Sequence, residues 1–124
     1  REIACGVARI KGKTLVLPLT EIISMNEFFD YEAKYTSGKS KELTPADLPG
    51  ELTNRIQELS SEVYDILGCK GIVRVDFIVV NSNPFFLEIN TVPGMTMESI
   101  IPKQTKAAGI DLGELYSMVI EDLF

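Results

Sequence analysis

Apolar residues recur along this chain with two different periods, and the changes of period mark its elements. Residues 2–10 and 13–19 are β-rich runs around Lys11-Gly12-Lys13, the pattern of a strand–turn–strand hairpin, and Ile22-Ile23 can prolong the second run. Further on, Leu52, Ile56, Leu59, Val63 and Ile66 recur at three- and four-residue steps, the single stripe of an amphipathic helix. Thr44-Pro45 and Pro49 open that helix, and Gly68 is placed to stop it. Two more apolar strands follow, Gly71–Phe77 and Phe86–Thr96, joined by the turn Asn81-Ser82-Asn83-Pro84. Ser99 can cap a short helix with Pro102 in its first turn, ending near Gly109. Asp111 and Glu114 fit a capping box for a last helix that packs through Leu112, Leu115, Met118, Val119 and Leu123. The pattern predicts an α+β fold, a mostly antiparallel sheet with packed helices. No internal repeat, low-complexity tract or linker divides the chain, so residues 1–124 are read as a single domain.

The second pair of strands also carries polar groups where a core strand has little use for them. Side chains two apart in a strand point the same way. Arg74 and Asp76 therefore share a face with Ile78 and Val80, and Glu88 and Asn90 share one with Phe86. If the two faces coincide across the hairpin, two carboxylates, an amide oxygen and a guanidinium converge on one patch. Isolated charges in apolar strands are costly unless paired or metal-bound, and oxygen ligands of this kind suit a hard cation such as magnesium. A cross-strand ion pair on a solvated face, Arg74 with Asp76 or with Glu88, explains the Arg-x-Asp triplet at least as well. It explains less well why the second strand ends in Asn90-Thr91-Val92-Pro93-Gly94, where Pro and Gly stop the strand and expose backbone N–H groups. Such groups can hold a developing negative charge.

Composition narrows the classes of function. The 124 residues are 45% hydrophobic, enough for one packed domain, and no apolar run approaches the length of a membrane span. The net charge is −6 and no basic patch is evident, which argues against a nucleic-acid partner. A domain this acidic must handle phosphates through metal and a few placed cations. Cys5 and Cys69 lie in no zinc-like pattern and read as small buried fillers, and with no His in the chain a His-based triad is excluded here. The chain starts with Arg1, has no signal-like basic start, and runs at once into strand-like sequence, which suggests a piece of a longer protein.

Between the first hairpin and the long helix lies Phe28-Phe29-Asp30-Tyr31-Glu32-Ala33-Lys34-Tyr35-Thr36-Ser37-Gly38-Lys39-Ser40, aromatic and charged without clean periodicity. A loop of this kind is either a functional lid or a surface loop pinned by its aromatics. Taken together, that loop, Arg74-Val75-Asp76, Leu87-Glu88-Ile89-Asn90-Thr91-Val92-Pro93-Gly94-Met95-Thr96 and Ser99-Ile100-Ile101-Pro102 resemble the D-alanine–D-alanine ligases of the ATP-grasp superfamily. The resemblance covers essentially the whole chain, with the motifs in family order. Arg-x-Asp with Glu-x-Asn marks ATP-grasp only; the Asp-Tyr-Glu-Ala-Lys-Tyr loop and the Asn-Thr-x-Pro-Gly-Met-Thr end are more specific. The family's N-terminal domain and the first half of its ATP-grasp domain have no counterpart in these residues.

The resemblance implies chemistry and roles. In this family a D-alanine carboxylate attacks the γ-phosphate of ATP to give an acyl phosphate, which the amine of a second D-alanine attacks through a tetrahedral intermediate. By resemblance, Asp76, Glu88 and Asn90 hold two Mg2+ ions, for which Mn2+ could substitute, and these align the phosphates. Arg74 resembles the guanidinium that stabilises the acyl phosphate and the tetrahedral intermediate. The Gly94 N–H resembles the oxyanion donor. Ser99 and the helix start at Ile100 resemble the site for the second alanine's carboxylate. Lys34 resembles the loop lysine that reaches the ATP phosphates, and Tyr35 and Tyr31 the residues that lock the loop and exclude water. Glu2 matches the glutamate that binds the ribose; its strand-end position alone reads as a solvated charge. Phe28 and Leu87 resemble adenine-pocket residues, with alternation setting Leu87 on the face opposite Glu88.

The implied parent is a cytoplasmic cell-wall enzyme of bacterial type, making D-alanyl-D-alanine for peptidoglycan, with ATP and D-alanine as partners and no nucleic acid or membrane. It would complete its site with the missing N-terminal portion of the same protein, and a homodimer is compatible with the full length. The isolated segment is expected to be inactive and to bind ATP weakly. Competing expectations are another ATP-grasp carboxylate–amine ligase, a D-alanine–D-lactate ligase, and a non-catalytic binding module that retains the fold.

Overall fold

Two tight turns set the register of the sheet. The computed structural model describes residues 1–24 and 40–124. Strand β1 (Glu2–Ile10) turns into β2 (Lys13–Ser24) through Lys11 and Gly12, with φ of 51° and 74°. Strand β4 (Ile72–Val80) turns into β5 (Asn83–Asn90) through Asn81 and Ser82, with φ of 50° and 63°. Two central residues with positive φ match the natural twist of an antiparallel pair. The second turn is therefore shorter than the sequence pattern suggested: Asn83 and Pro84 belong to β5, opposite Val80 and Val79. A short β3 (Ser40–Leu43) completes one sheet in the order β3-β2-β1-β4-β5, antiparallel throughout. Strand β2 runs beyond Leu19 and takes in Ile22 and Ile23.

Helix α1 (Gly50–Ile66) covers one face of the sheet, packing Leu52, Ile56 and Tyr64 onto Ile3, Cys5, Val7, Val73, Val75 and Phe77. Fully burying one such aliphatic side chain stabilises by about 1.5–3 kcal/mol. The inward row runs Leu52, Ile56, Ser60, Tyr64 at four-residue steps. Ile66 lies about 200° around the helix from Tyr64 and is 80% exposed, so it does not join the buried stripe expected of it. Gly68, at φ 63°, ends the helix as expected. Cys5 is a buried filler whose thiol is pushed up to about 12 by burial, so it offers no thiolate.

The other face carries α2 (Ile100–Ala107) and α3 (Leu112–Asp122). Asp111 Oδ2 accepts from the Glu114 N–H at 3.1 Å, which caps α3. Leu115 and Val119 are buried against Ala8, but Leu123 is half-exposed rather than packed. Among the described residues no helix is long and apolar enough to cross a membrane.

The docking of α2 depends on an irregularity in the central strand. Cys5 pairs with Leu19, but Val7 pairs with Val16, so Leu17 and Pro18 together oppose Gly6. Pro18 has no N–H to give the ladder, which is why the pairing slips here. Gln104 of α2 fills the gap. Its Oε1 accepts from the Gly6 N–H at 3.0 Å, and its Nε2 donates to Ala4 O and Thr20 Oγ1, both at 3.0 Å. A Cβ on Gly6 would lie 2.6 Å from Ile101 Cδ1 and 2.7 Å from Gln104 Oε1. Gly6→Ala should therefore destabilise the fold by about 1–3 kcal/mol, the usual cost of overpacking. Urea unfolding checks this, and an unshifted midpoint would mean that α2 does not seat on Gly6.

Candidate functional site

The site candidates lie on the α2 face of the sheet. Residues directly opposite in an antiparallel pair point to the same side. Gly6 pairs with Arg74 and Ala4 with Asp76, so these β4 side chains share the face on which α2 sits. Across the hairpin, Arg74 pairs with Asn90 and Asp76 with Glu88. The two polar faces thus coincide. Glu2 stands at the adjoining end of β1, opposite Ile78.

This coincidence requires a bulge. After the Asp76–Glu88 pair the next partners are Phe77 and Phe86, leaving Leu87 as an extra residue on β5. Alternation restarts there, and Phe86 falls on the α1 side with Phe77, ring centroids 6.4 Å apart and edge to face. It does not share the face of Glu88 and Asn90, contrary to strict alternation. Leu87 sits at the bulge, 51% exposed, where alternation no longer dictates its direction.

Asp76 is the buried centre of the patch, 1% exposed. Arg74 donates to it twice, Nε to Oδ1 at 2.9 Å and Nη2 to Oδ2 at 3.0 Å. Asn90 Nδ2 donates to Oδ2 at 3.1 Å. The ion pair thus runs along one strand, and the guanidinium is held in its charged form above its usual range by the hydrogen bond to Asp76, against burial and with help from Glu88 and Glu2. Glu88 is exposed, and neither its carboxylate nor Asn90 Oδ1 accepts a hydrogen bond among the described residues. The Glu2 carboxyl is pushed up, first by burial, then by Asp76 and Glu88, with Arg74 opposing. Glu2 is therefore not the freely solvated end charge its position suggested.

The remaining candidates group at the start of α2. Ser99 precedes Ile100, which is 6% exposed. The Ser99 hydroxyl does not cap its own helix. Its Oγ accepts instead from the Thr96 N–H at 3.1 Å and lies 2.8 Å from Thr96 Oγ1. A Cβ on Gly94 would lie 2.8 Å from Ser99 Oγ, so any larger residue there would turn that hydroxyl from its present position. Phe28, Tyr31, Lys34 and Tyr35 lie outside the described residues.

Asp76, Glu88 and Asn90 fit a hard divalent cation by their chemistry: oxygen donors on paired strands, with Glu2, Asp76 and Glu88 outnumbering Arg74. Among the described residues no group of three or more His, Cys, Asp or Glu side chains is drawn together for a metal, so any such site counts the Asn90 amide as a donor. Sequence reasoning missed Gln104. Its signals were a glycine inside one strand and a proline inside the next, which together mark a bulge needing an outside partner.

Solved ligases share this architecture. The D-alanine–D-alanine ligase from Bacillus anthracis complexed with ATP matches at 37% identity and a TM-score of 0.76, over 97% of this chain and 36% of that one. The VanG D-Ala:D-Ser ligase from Enterococcus faecalis matches at 36% identity and a TM-score of 0.82, over 97% and 35%. The fold and its polar hairpin thus define the C-terminal part of an ATP-grasp ligase fold. The family model for the D-ala D-ala ligase C-terminus matches residues 1–121, and the chain belongs to that family. A D-alanine–D-alanine ligase from Bacteroides thetaiotaomicron is 51% identical over 99% of this chain. The chain spans 38% of that relative's length.

The charge on this face has a consequence for stability. Because the folded Glu2 carboxyl is raised, its ionised form opposes folding: the penalty is absent below the ordinary glutamate range and complete above the raised value. Glu2→Gln should raise the unfolding midpoint at pH 7, and the difference should close as the pH falls below about 4. Thermal unfolding at both pH values checks this, and an equal gain at both would refute the electrostatic origin.

Proposed function

We propose that this chain is the metal- and acceptor-binding portion of an enzyme that joins two D-alanine molecules at the expense of ATP, through an acyl phosphate, for peptidoglycan. The observation that carries the reading is the register that sets Asp76 opposite Glu88 and Arg74 opposite Asn90 on one face, in a member of the D-alanine–D-alanine ligase C-terminal family.

On this reading Asp76, Glu88 and Asn90 hold divalent magnesium, with manganese an acceptable substitute. When bound, the metal neutralises and aligns the ATP phosphates. Asp76 keeps acceptor capacity beyond the bonds it takes from Arg74 and Asn90, since an ionised carboxylate has about four lone-pair sites. Arg74 is pre-aimed by its two-point contact with Asp76 and stays charged, which suits it to the acyl phosphate and the tetrahedral intermediate. The Gly94 N–H donates to the developing oxyanion. The first turn of α2, left uncapped by Ser99, offers backbone N–H groups to the carboxylate of the second D-alanine, with Ser99 and Ile100 at its mouth.

Glu2 binds the ribose, Leu87 and Phe28 the adenine, and Lys34 the phosphates. Tyr31 and Tyr35 close the loop that keeps water from the acyl phosphate. Residues 1–124 form one domain portion, completed by the rest of the same protein, which in full length can pair as a homodimer. The need for ATP suits a cytoplasmic enzyme.

The likeness to a D-Ala:D-Ser ligase keeps the acceptor open to assay. Full-length protein should release ADP and phosphate with ATP and D-alanine, and D-serine and D-lactate supplied as acceptors test the alternatives. Glu88 is exposed, so Glu88→Gln should leave the fold stable within about 0.5 kcal/mol. Turnover should fall on the order of 100-fold, since even outer partners of metal ligands are worth about 10–100-fold. The isolated 124-residue chain should show no turnover. Undiminished activity in Glu88→Gln would sink the reading.

A further inference from the structure

The geometry points to Gln104 as a positioning residue that locks α2 to the strand beside Arg74 and Asp76. Gln104 is completely buried, and both its N–H groups and its oxygen have partners. It accepts from Gly6 N and donates to Ala4 O and Thr20 Oγ1, all at 3.0 Å. Gly6 and Ala4 are the β1 residues whose β4 partners are Arg74 and Asp76. One side chain therefore joins the helix that begins at Ser99–Ile100 to the backbone directly beside the guanidinium and the buried carboxylate.

Chemistry explains why this must be a carboxamide. The bulge leaves a donor at Gly6, the Ala4 carbonyl lies within reach beside it, and a carboxamide serves both at once. An apolar residue would leave the buried Gly6 N–H without this acceptor. A carboxylate would meet Ala4 O with a repelling oxygen. Besides the packing of Ile101 on Gly6, helix α2 has few other polar contacts to the sheet among the described residues. Pro102 in its first turn has no N–H, and Thr105 Oγ1 turns inward to Ile101 O. Lys103 reaches Glu42 of β3, away from β4. The clamp thus sets how far the uncapped N–H groups of α2 stand from Arg74 and Gly94. A misplacement of about 1 Å in such a site can cost 100-fold in rate. The catalytic consequence rests on the functional reading above; the clamp itself does not.

The test uses the full-length protein with Gln104→Met, which keeps the side chain's volume and loses its hydrogen bonds. Thr20→Val, which removes one partner only, serves if Gln104→Met fails to fold. Tyr64→Phe is the control, because it deletes the hydroxyl contact to Gly71 O on the α1 side of the sheet. Amide hydrogen exchange reads the clamp without turnover. Gly6, Lys103 and Thr105 should exchange faster in the Gln104 and Thr20 variants and not in Tyr64→Phe. In steady state, kcat/KM for D-alanine should fall by about 10-fold or more in Gln104→Met, with KM for ATP held and with a smaller fall in Thr20→Val. Unchanged exchange at Gly6 and α2 overturns the clamp. Faster exchange with an unaltered kcat/KM for D-alanine, or an equal rise in both KM values, overturns the positioning role. A wild-type protein that consumes no ATP with D-alanine would instead defeat the ligase reading, and the exchange data would still decide the clamp.

Discussion

A carboxylate buried in the middle of a sheet loses its water and must recover several kcal/mol from its neighbours. Asp76 recovers it from two directions. Arg74, two residues earlier on the same strand, gives a two-point contact, and Asn90 gives a hydrogen bond from the next strand. The second contact ties the charge to the fold. A one-residue slip of β5 would swing Glu88 and Asn90 to the α1 face and leave part of the carboxylate unserved. The polar patch therefore helps to fix the register that creates it. It also explains the bulge at Leu87: Phe86 belongs against Phe77 on one face while Glu88 belongs opposite Asp76 on the other, and only an extra residue lets both hold.

The helix side of the site is set by close approach. At Gly6 and again at Gly94 a Cβ would stand within 3 Å of a neighbouring side chain. The first approach seats α2 on the central strand. The second closes the turn that leads into α2, with the Ser99 hydroxyl spent on Thr96 rather than on its own helix. The first turn of α2 thereby has no cap from Ser99, and uncapped helix N–H groups are the kind that receive anions. Packing at two glycines and the electrostatics of one helix end thus belong to the same arrangement.

How much of this could be read from the chain follows from which interactions are local. Arg74 and Asp76 sit two apart on a strand with strong alternation, so their common face was legible, as were the two hairpins and the long helix. The bulges were not, because each depends on what the partner strand presents. Strict alternation therefore put Phe86 on the wrong face. The helix stripe missed Tyr64 and over-counted Ile66, since a tyrosine counts weakly in an apolar pattern although its ring is fully buried. Gln104 reads as a solvated helix residue until the unpaired Gly6 N–H is seen, and that is a tertiary fact. Ser99 stands where a cap should, but a hydroxyl can serve either a helix or the preceding turn, and sequence does not rank the two. The lid candidates Phe28, Tyr31, Lys34 and Tyr35 rest on motif alone.

The charge balance bears on how the proposed site would meet its substrate. Glu2, Asp76 and Glu88 outnumber Arg74 on this face, in a chain of net charge −6. Like charges at 4 Å repel by about 1–4 kcal/mol between bulk water and a protein surface. The triphosphate of ATP would meet that repulsion at several oxygens. One guanidinium, with two of its N–H groups engaged by Asp76, offsets only part of it. Burial first, and then the same negative neighbours Asp76 and Glu88, raise the Glu2 carboxyl before any phosphate arrives. These residues therefore favour cations over naked phosphate. On the proposed reading nucleotide reaches this face together with its metal. Glu88 and Asp76 then contribute differently to cation capture. The exposed Glu88 is free to meet an incoming ion, and the buried Asp76 is held fixed by the fold to define where that ion stops.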